Sequence, residues 1–327
     1  MTPPRLQRRT LLLTALATLA GCAGGPPAPK PWHEVATREL NLSLGSFDVL
    51  GRRVTLTRST LAAGALPVVV YLPGLGQEGN SGQRWAAAWA QAGYAVLAVQ
   101  PLEADAAAWR SELSRTGEFR ALGQLHYGET LRAERLAMLR RLRPALQAAQ
   151  PELDWSHAAV AGYETGAQTA LDARADAGWQ AAIAISPPAM QPPAAGAPAL
   201  VVTSEADNDP LGLITGPTDR RRVFEALAPG GGWLLNVGNA SHAGLAGTLA
   251  PDTWHEQDQH EFRAPRLPAP GQAGPHAPPG GSARGLRSGS ASEAAQANLA
   301  DALRDSTAFL DAQLRGRALQ APRLKAR

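Results

Sequence analysis

From residue 67 onward one pattern recurs, and it constrains the fold more than any other feature. Short runs of small or β-branched apolar residues alternate with helix-forming stretches. The runs are "PVVVYLP", "YAVLAVQP", "HAAVAG", "QAAIAISPP", "PALVVTSE" and "GWLLNVG". None alternates polar with apolar residues, so neither face of these strands is expected to meet water. Between them, "GQRWAAAWAQA", "ETLRAERLAMLRRLRPALQAA", "GAQTALDARADA" and "DRRRVFEALA" read as helices. In the second, Leu131, Arg135, Met138, Leu139, Leu142 and Leu146 fall near one face. Trp85 and Trp89, four apart on the first, are expected in the core. Buried strands alternating with helices predict an α/β fold, a doubly wound and mostly parallel sheet covered on both sides. Two further strands are expected near 37–43 and 52–58, and no repeat unit is evident.

The ends of the chain obey different rules. "MTPPRLQRRTLLLTALATLAGC" places Arg5, Arg8 and Arg9 before an apolar stretch, Leu11 to Leu19, too short to span a bilayer as a mature helix. Small residues then lead into Cys22, the chain's one cysteine. This arrangement resembles a bacterial lipoprotein signal, with a weaker likeness to a twin-arginine leader. The resemblance implies removal of residues 1–21 and lipidation of Cys22, with a Pro/Gly-rich tether over 22–34. It also implies an envelope location, facing the periplasm from the outer membrane, since Ala23 is not the Asp of inner-membrane retention. A lone cysteine rules out an intramolecular disulfide and a cysteine metal cluster. The formal charge of +3 comes entirely from the three arginines of the leader. No basic stripe interleaved with aromatics remains, which speaks against nucleic acid as a partner.

The main domain is expected over 35–263. "APRLPAPGQAGPHAPPGGSARGLRSGS" (264–290) has no composition for a packed core and reads as a disordered insertion. A capping-box pattern at Ser290 to Glu293 opens a last helix over 291–316, with Leu299, Leu303, Leu310 and Leu314 at helical spacing.

Three segments carry chemistry. "AGYETGAQ" holds Gly162-Tyr163-Glu164-Thr165-Gly166 between a strand and a helix, the setting of a nucleophile elbow. "VVTSEADNDP" is a strand ending at Asp207 and Asp209, and "LLNVGNASHAG" is a strand leading to His242. Elbow, acid and histidine in this order, together with "YLPGLGQ" after an earlier strand, resemble the α/β-hydrolase superfamily, above all its small capless esterases of the dienelactone-hydrolase and acetylhydrolase kind. The resemblance covers roughly 65–250 and the last helix. It implies that His242 acts as base, that Asp207 (alternatively Asp209) orients it, and that the backbone N–H groups of Leu75 (alternatively Gly76) and Thr165 form an oxyanion hole. The ligand it implies is a small or acyl-type molecule, with no cofactor and no metal.

Glu164 departs from that pattern, which puts Ser, Cys or Asp in this slot. A carboxylate is already ionised and has no proton for His242 to remove. Beside His242 it would favour the imidazolium, and it would face the oxyanion hole as a resident anion. Two readings follow: a degenerate member that binds without ester hydrolysis, or an active hydrolase using Glu164 with His242 and Asp207. Against the second, Glu is a methylene longer than the Asp of dehalogenase-type relatives, Thr165 stands where these carry a Trp, and a cap domain is lacking. Ser186 reads as a strand-terminating serine. Trp109, Phe119, His126 and Tyr127 lie in a stretch that either lines a pocket or pins a loop. "WHEQDQHEF" (254–262) matches no metal-ligand spacing and reads as a polar loop.

Overall fold

The β-branched runs become the strands of one sheet because each has two apolar faces to bury. In the computed structural model, residues 41–327 are described apart from 80, 189, 191, 194, 215 and 248–284, with only the backbone of 217 and 285–296. The leader, Cys22, the tether, the polar stretch 254–262 and most of the expected insertion lie outside those residues. The elements run β1 (Leu42–Val49), β2 (Arg52–Ser59), β3 (Pro67–Leu72), α1 (Gln83–Gln91) and β4 (Ala95–Val99). Four short helical pieces follow, α2 (Glu103–Ala106), a 3-10 turn (Ala108–Arg110), α3 (Glu112–Arg115) and α4 (Phe119–His126). Then come α5 (Glu129–Ala149), β5 (Asp154–Tyr163), α6 (Thr165–Ala173), β6 (Ala181–Ile185), β7 (Ala199–Thr203), α7 (Pro217–Glu225), β8 (Gly232–Asn236), α8 (His242–Leu245), α9 (Gly285–Arg315) and β9 (Lys325–Ala326).

The strand order is β1-β2-β4-β3-β5-β6-β7-β8-β9. Pairing is parallel from β4 through β3, β5, β6 and β7 to β8, and antiparallel for β1–β2, β2–β4 and β8–β9. Residues 186–198 join β6 to β7, too few for a cap domain. The fold is therefore the doubly wound, capless α/β-hydrolase arrangement that the motif order implied.

Successive residues of a strand point to opposite faces. Val68, Val70 and Leu72 of β3 pack with Leu139, Leu142 and Leu146 of α5 on one side. Val69 and Tyr71 pack with Trp85 and Trp89 of α1 and Phe309 and Leu310 of α9 on the other. That two-sided burial is why the strand sequences carry no polar alternation. Both tryptophans are fully buried, and each indole N–H has a partner: Trp85 donates to the Leu245 carbonyl at 2.9 Å and Trp89 to Ser306 at 3.0 Å.

Two boundaries differ from expectation. The first strand is Leu42–Val49, an edge strand of mixed polarity paired as a hairpin with β2; it overlaps the expected 37–43 stretch at residues 42 and 43 and runs on to Val49, while residues 37–40 lie outside the described residues. The turn is Leu50-Gly51, both at positive φ (50° and 72°), the twist that tight hairpins need. The last helix is Gly285–Arg315, so it begins within the stretch read as an insertion.

Candidate functional site

Between β5 and α6 the chain turns on one residue, Glu164, with φ 52° and ψ −115°. A non-glycine residue there is strained, and the surroundings hold it in place. A Cβ on Gly162 would sit 2.3 Å from the Gly166 carbonyl carbon, and one on Gly166 would sit 2.0 Å from the Leu72 carbonyl oxygen. Both flanking glycines are therefore required for helix and strand to meet this closely. The Glu164 N–H donates to the Ile185 carbonyl at 2.9 Å.

The Glu164 side chain is 3% exposed, and both of its oxygens are engaged. The Leu75 N–H donates to Oε2 at 2.9 Å, and the Tyr127 hydroxyl donates to Oε1 at 2.6 Å. Leu75 follows β3 in a loop fixed from three sides. Gln100 donates to the Gly74 carbonyl at 2.9 Å, the Trp109 indole to the Leu75 carbonyl at 3.0 Å, and the Gly76 N–H to the Asp105 carbonyl at 2.7 Å. Gly74 has to be glycine for the approach, since a Cβ there would lie 2.7 Å from Oε2. Burial, and then the Glu164 charge, push the Tyr127 hydroxyl well above the ordinary tyrosine range, so it stays a donor.

The second half of the site lies at the ends of β7 and β8. His242 Nδ1 is 2.8 Å from Asp207 Oδ1. Asp207 is fully buried. It accepts from Ser186 at 2.7 Å and Thr203 at 2.9 Å, and pairs with Arg220 Nε at 3.2 Å. Burial raises its carboxyl, but the His242 hydrogen bond, the Arg220 charge and the Ser186 hydroxyl outweigh that and hold it below the usual carboxylate range. The His242 ring lies 5.1 Å from that of Tyr163, whose hydroxyl donates to the His242 carbonyl at 2.9 Å.

Asp209, the alternative acid, instead accepts from the N–H groups of Leu213 at 2.7 Å and Ile214 at 2.9 Å, closing its own loop. Gly76, the alternative to Leu75, spends its N–H on Asp105. Thr165 opens α6, with its hydroxyl buried and unpartnered among the described residues. The donors that reach the carboxylate are Leu75 and Tyr127.

One expectation is corrected. No hydrogen bond or ion pair joins Glu164 to His242, so the imidazolium–carboxylate pair does not form. The carboxylate is already satisfied by Leu75 and Tyr127, while His242 Nδ1 faces Asp207, Ser186 and, at 3.3 Å, Arg220 Nη2.

Two participants were not legible as such. Ser186 does end β6, at φ 51°, but its hydroxyl also sits 2.9 Å from His242 Nδ1. Arg220 is fully buried and donates to the Ser186 and Pro187 carbonyls at 2.9 and 3.1 Å. A signal for it existed. Arg220, Val223, Phe224 and Leu227 share one helical stripe, and all four are buried. The aromatic stretch divides its labour. Trp109 packs on Phe119 at 6.2 Å, while His126 and Arg135 hold the buried Asp105 at 2.8 and 2.6 Å. Tyr127 alone of the four reaches the elbow side chain.

Chemically, a substrate oxygen cannot take the Leu75 N–H while Glu164 holds it. The cavity beside Tyr127, Thr165 and Gln168 is about 10 Å³, no larger than one water. A larger cavity of about 390 Å³ is lined by Ser43, Arg58, Thr60, Leu66 and Glu152 among others, and by none of the site residues. Among the described residues no group of three or more His, Cys, Asp or Glu is placed to hold a metal ion, and no helix is long and apolar enough to cross a membrane.

Fold and site together are a doubly wound α/β domain with a buried carboxylate, Glu164, at the strained turn between β5 and α6, and a hydrogen-bonded His242–Asp207 pair at the ends of β7 and β8. Among solved structures the chain is similar to a dienelactone hydrolase from Anabaena variabilis, at 19% identity over 68% of this chain and 94% of that one, with a TM-score of 0.43. No family model and no curated protein sequence matches the chain.

Proposed function

We propose that this protein is a lipid-anchored envelope member of the α/β-hydrolase fold that binds a small or acyl-type ligand without ester hydrolysis. One observation carries the reading. The Glu164 carboxylate accepts from the Leu75 N–H, the donor that would otherwise stabilise a developing oxyanion. Serine chemistry then lacks both its nucleophile and its anion site. The anchor rests on the leader arginines, the apolar stretch and Cys22, and a Cys22→Ala variant should lose its membrane association in cell fractionation.

The test is turnover of p-nitrophenyl esters by the purified full chain, with Glu164→Ser and His242→Ala beside it. The wild type should be inert and the serine variant active, since the Asp207–His242 pair and the strained elbow are both in place. Wild-type turnover abolished by His242→Ala would refute the reading. That same intact pair favours a second reading, hydrolysis with Glu164 as nucleophile. In that case Glu164→Gln and His242→Ala should each abolish activity.

A further inference from the structure

The Glu164 side chain is held as a bound carboxylate would be. It is buried, and each oxygen takes one donor from a separate segment; the residue is the N-cap of α6, but its carboxylate makes no capping hydrogen bond, so the two donors alone hold it. The donors are fixed independently of it. Leu75 is set by its pinned loop, and the Tyr127 ring by packing with Leu75, Ala108, Leu122 and Leu211. The contacts form a site, and Glu164 is its occupant.

We propose that the Leu75 N–H and the Tyr127 hydroxyl form a carboxylate-binding site for short aliphatic acids, with Glu164 as its tethered ligand. The proposal rests on reading Glu164 as an occupant and not a nucleophile. The geometry also sets the chain length. From Cβ outward a glutamate side chain has the carbon skeleton of propionate. Replacing Glu164 with Gly leaves a propionate-shaped space and suits the positive φ. Replacing it with Ala keeps Cβ and leaves room for acetate. The wild-type chain excludes both, because an external acid gains the two donors only by displacing the tethered one.

The experiment titrates the full chain with sodium acetate, propionate and butyrate at constant ionic strength and neutral pH, read by calorimetry and by thermal midpoint. The Glu164→Gly variant should prefer propionate. Acetate should bind about fourfold more weakly, the worth of one buried methylene, and butyrate should lose affinity because its extra carbon meets the backbone. In Glu164→Ala the preference should move to acetate. Adding Tyr127→Phe to either variant should lower affinity about tenfold or more, as loss of a hydrogen bond to a charged group does. The wild type should not respond at concentrations that saturate the glycine variant.

Equal binding of all three acids, no binding by either variant, undiminished binding with Tyr127→Phe, or a wild-type response equal to that of the glycine variant would each overturn the proposal. Ester turnover by the wild type is a separate result. It would refute the non-hydrolytic reading and leave a chain-length preference in the variants standing.

Discussion

Tyr127→Phe isolates the contact that keeps Glu164 in place. The hydroxyl lies 2.6 Å from Oε1, within the range of charge-assisted O–H···O bonds. Phenylalanine retains the ring and its packing, so the change is confined to one hydrogen bond to a buried carboxylate. Such a bond is worth about 1.5–3 kcal/mol. At roughly 2–4 °C per kcal/mol for a domain of this size, the variant should melt about 3–12 °C below the wild type. A double-mutant cycle with Glu164→Ala tests the assignment. Without the carboxylate, Tyr127 has lost its acceptor and its hydroxyl becomes a buried cost. Tyr127→Phe should then be neutral or stabilising, with a coupling energy of about 1.5–3 kcal/mol or more. Urea unfolding followed by circular dichroism measures all four proteins. If Tyr127→Phe costs the same in both backgrounds, within about 0.5 kcal/mol, the hydroxyl is not what holds Glu164.

Gly166→Ala brings a methyl to 2.0 Å from the Leu72 carbonyl oxygen and should cost about 3 kcal/mol or more. Gly45→Ala, with nothing within 4 Å, should stay within about 0.5 kcal/mol of the wild type, and similar urea midpoints for the two would refute the close packing. Arg220→Ala leaves Asp207 buried without its cation and should lose about 3–5 kcal/mol. A loss under about 1 kcal/mol, the scale of a surface ion pair, would show that Arg220 does not hold the acid. Asp207 titrates below its ordinary value when folded, so its stabilisation is present above the unfolded value and lost as pH falls through the folded one. The stability gap between wild type and Asp207→Asn should therefore be full near pH 6 and shrink below about pH 4, and a gap that widens on acidification would contradict the ion-paired aspartate.

Much of this molecule was legible in its sequence because the signals are local. A strand buried on both faces must be apolar throughout, so β3 to β8 are visible as runs. Gly162 and Gly166 frame a turn that only glycine permits, and the order of Glu164, Asp207 and His242 along the chain follows from the strands that carry them. The partnership of Glu164 is different, because it depends on where remote segments meet. Leu75 and Tyr127 are separated from it by 89 and 37 residues, and no spacing in the sequence shows that their donors converge on its carboxylate. The same holds for the partners of Arg220: its place on an apolar stripe was legible, but not that its guanidinium meets Asp207 and the Ser186 and Pro187 carbonyls. The sequence by itself determined that a carboxylate stands at the elbow. Only the tertiary structure decided that this carboxylate turns from the histidine to a backbone N–H and a tyrosine hydroxyl, because a buried charge goes to the donors that the fold has already fixed.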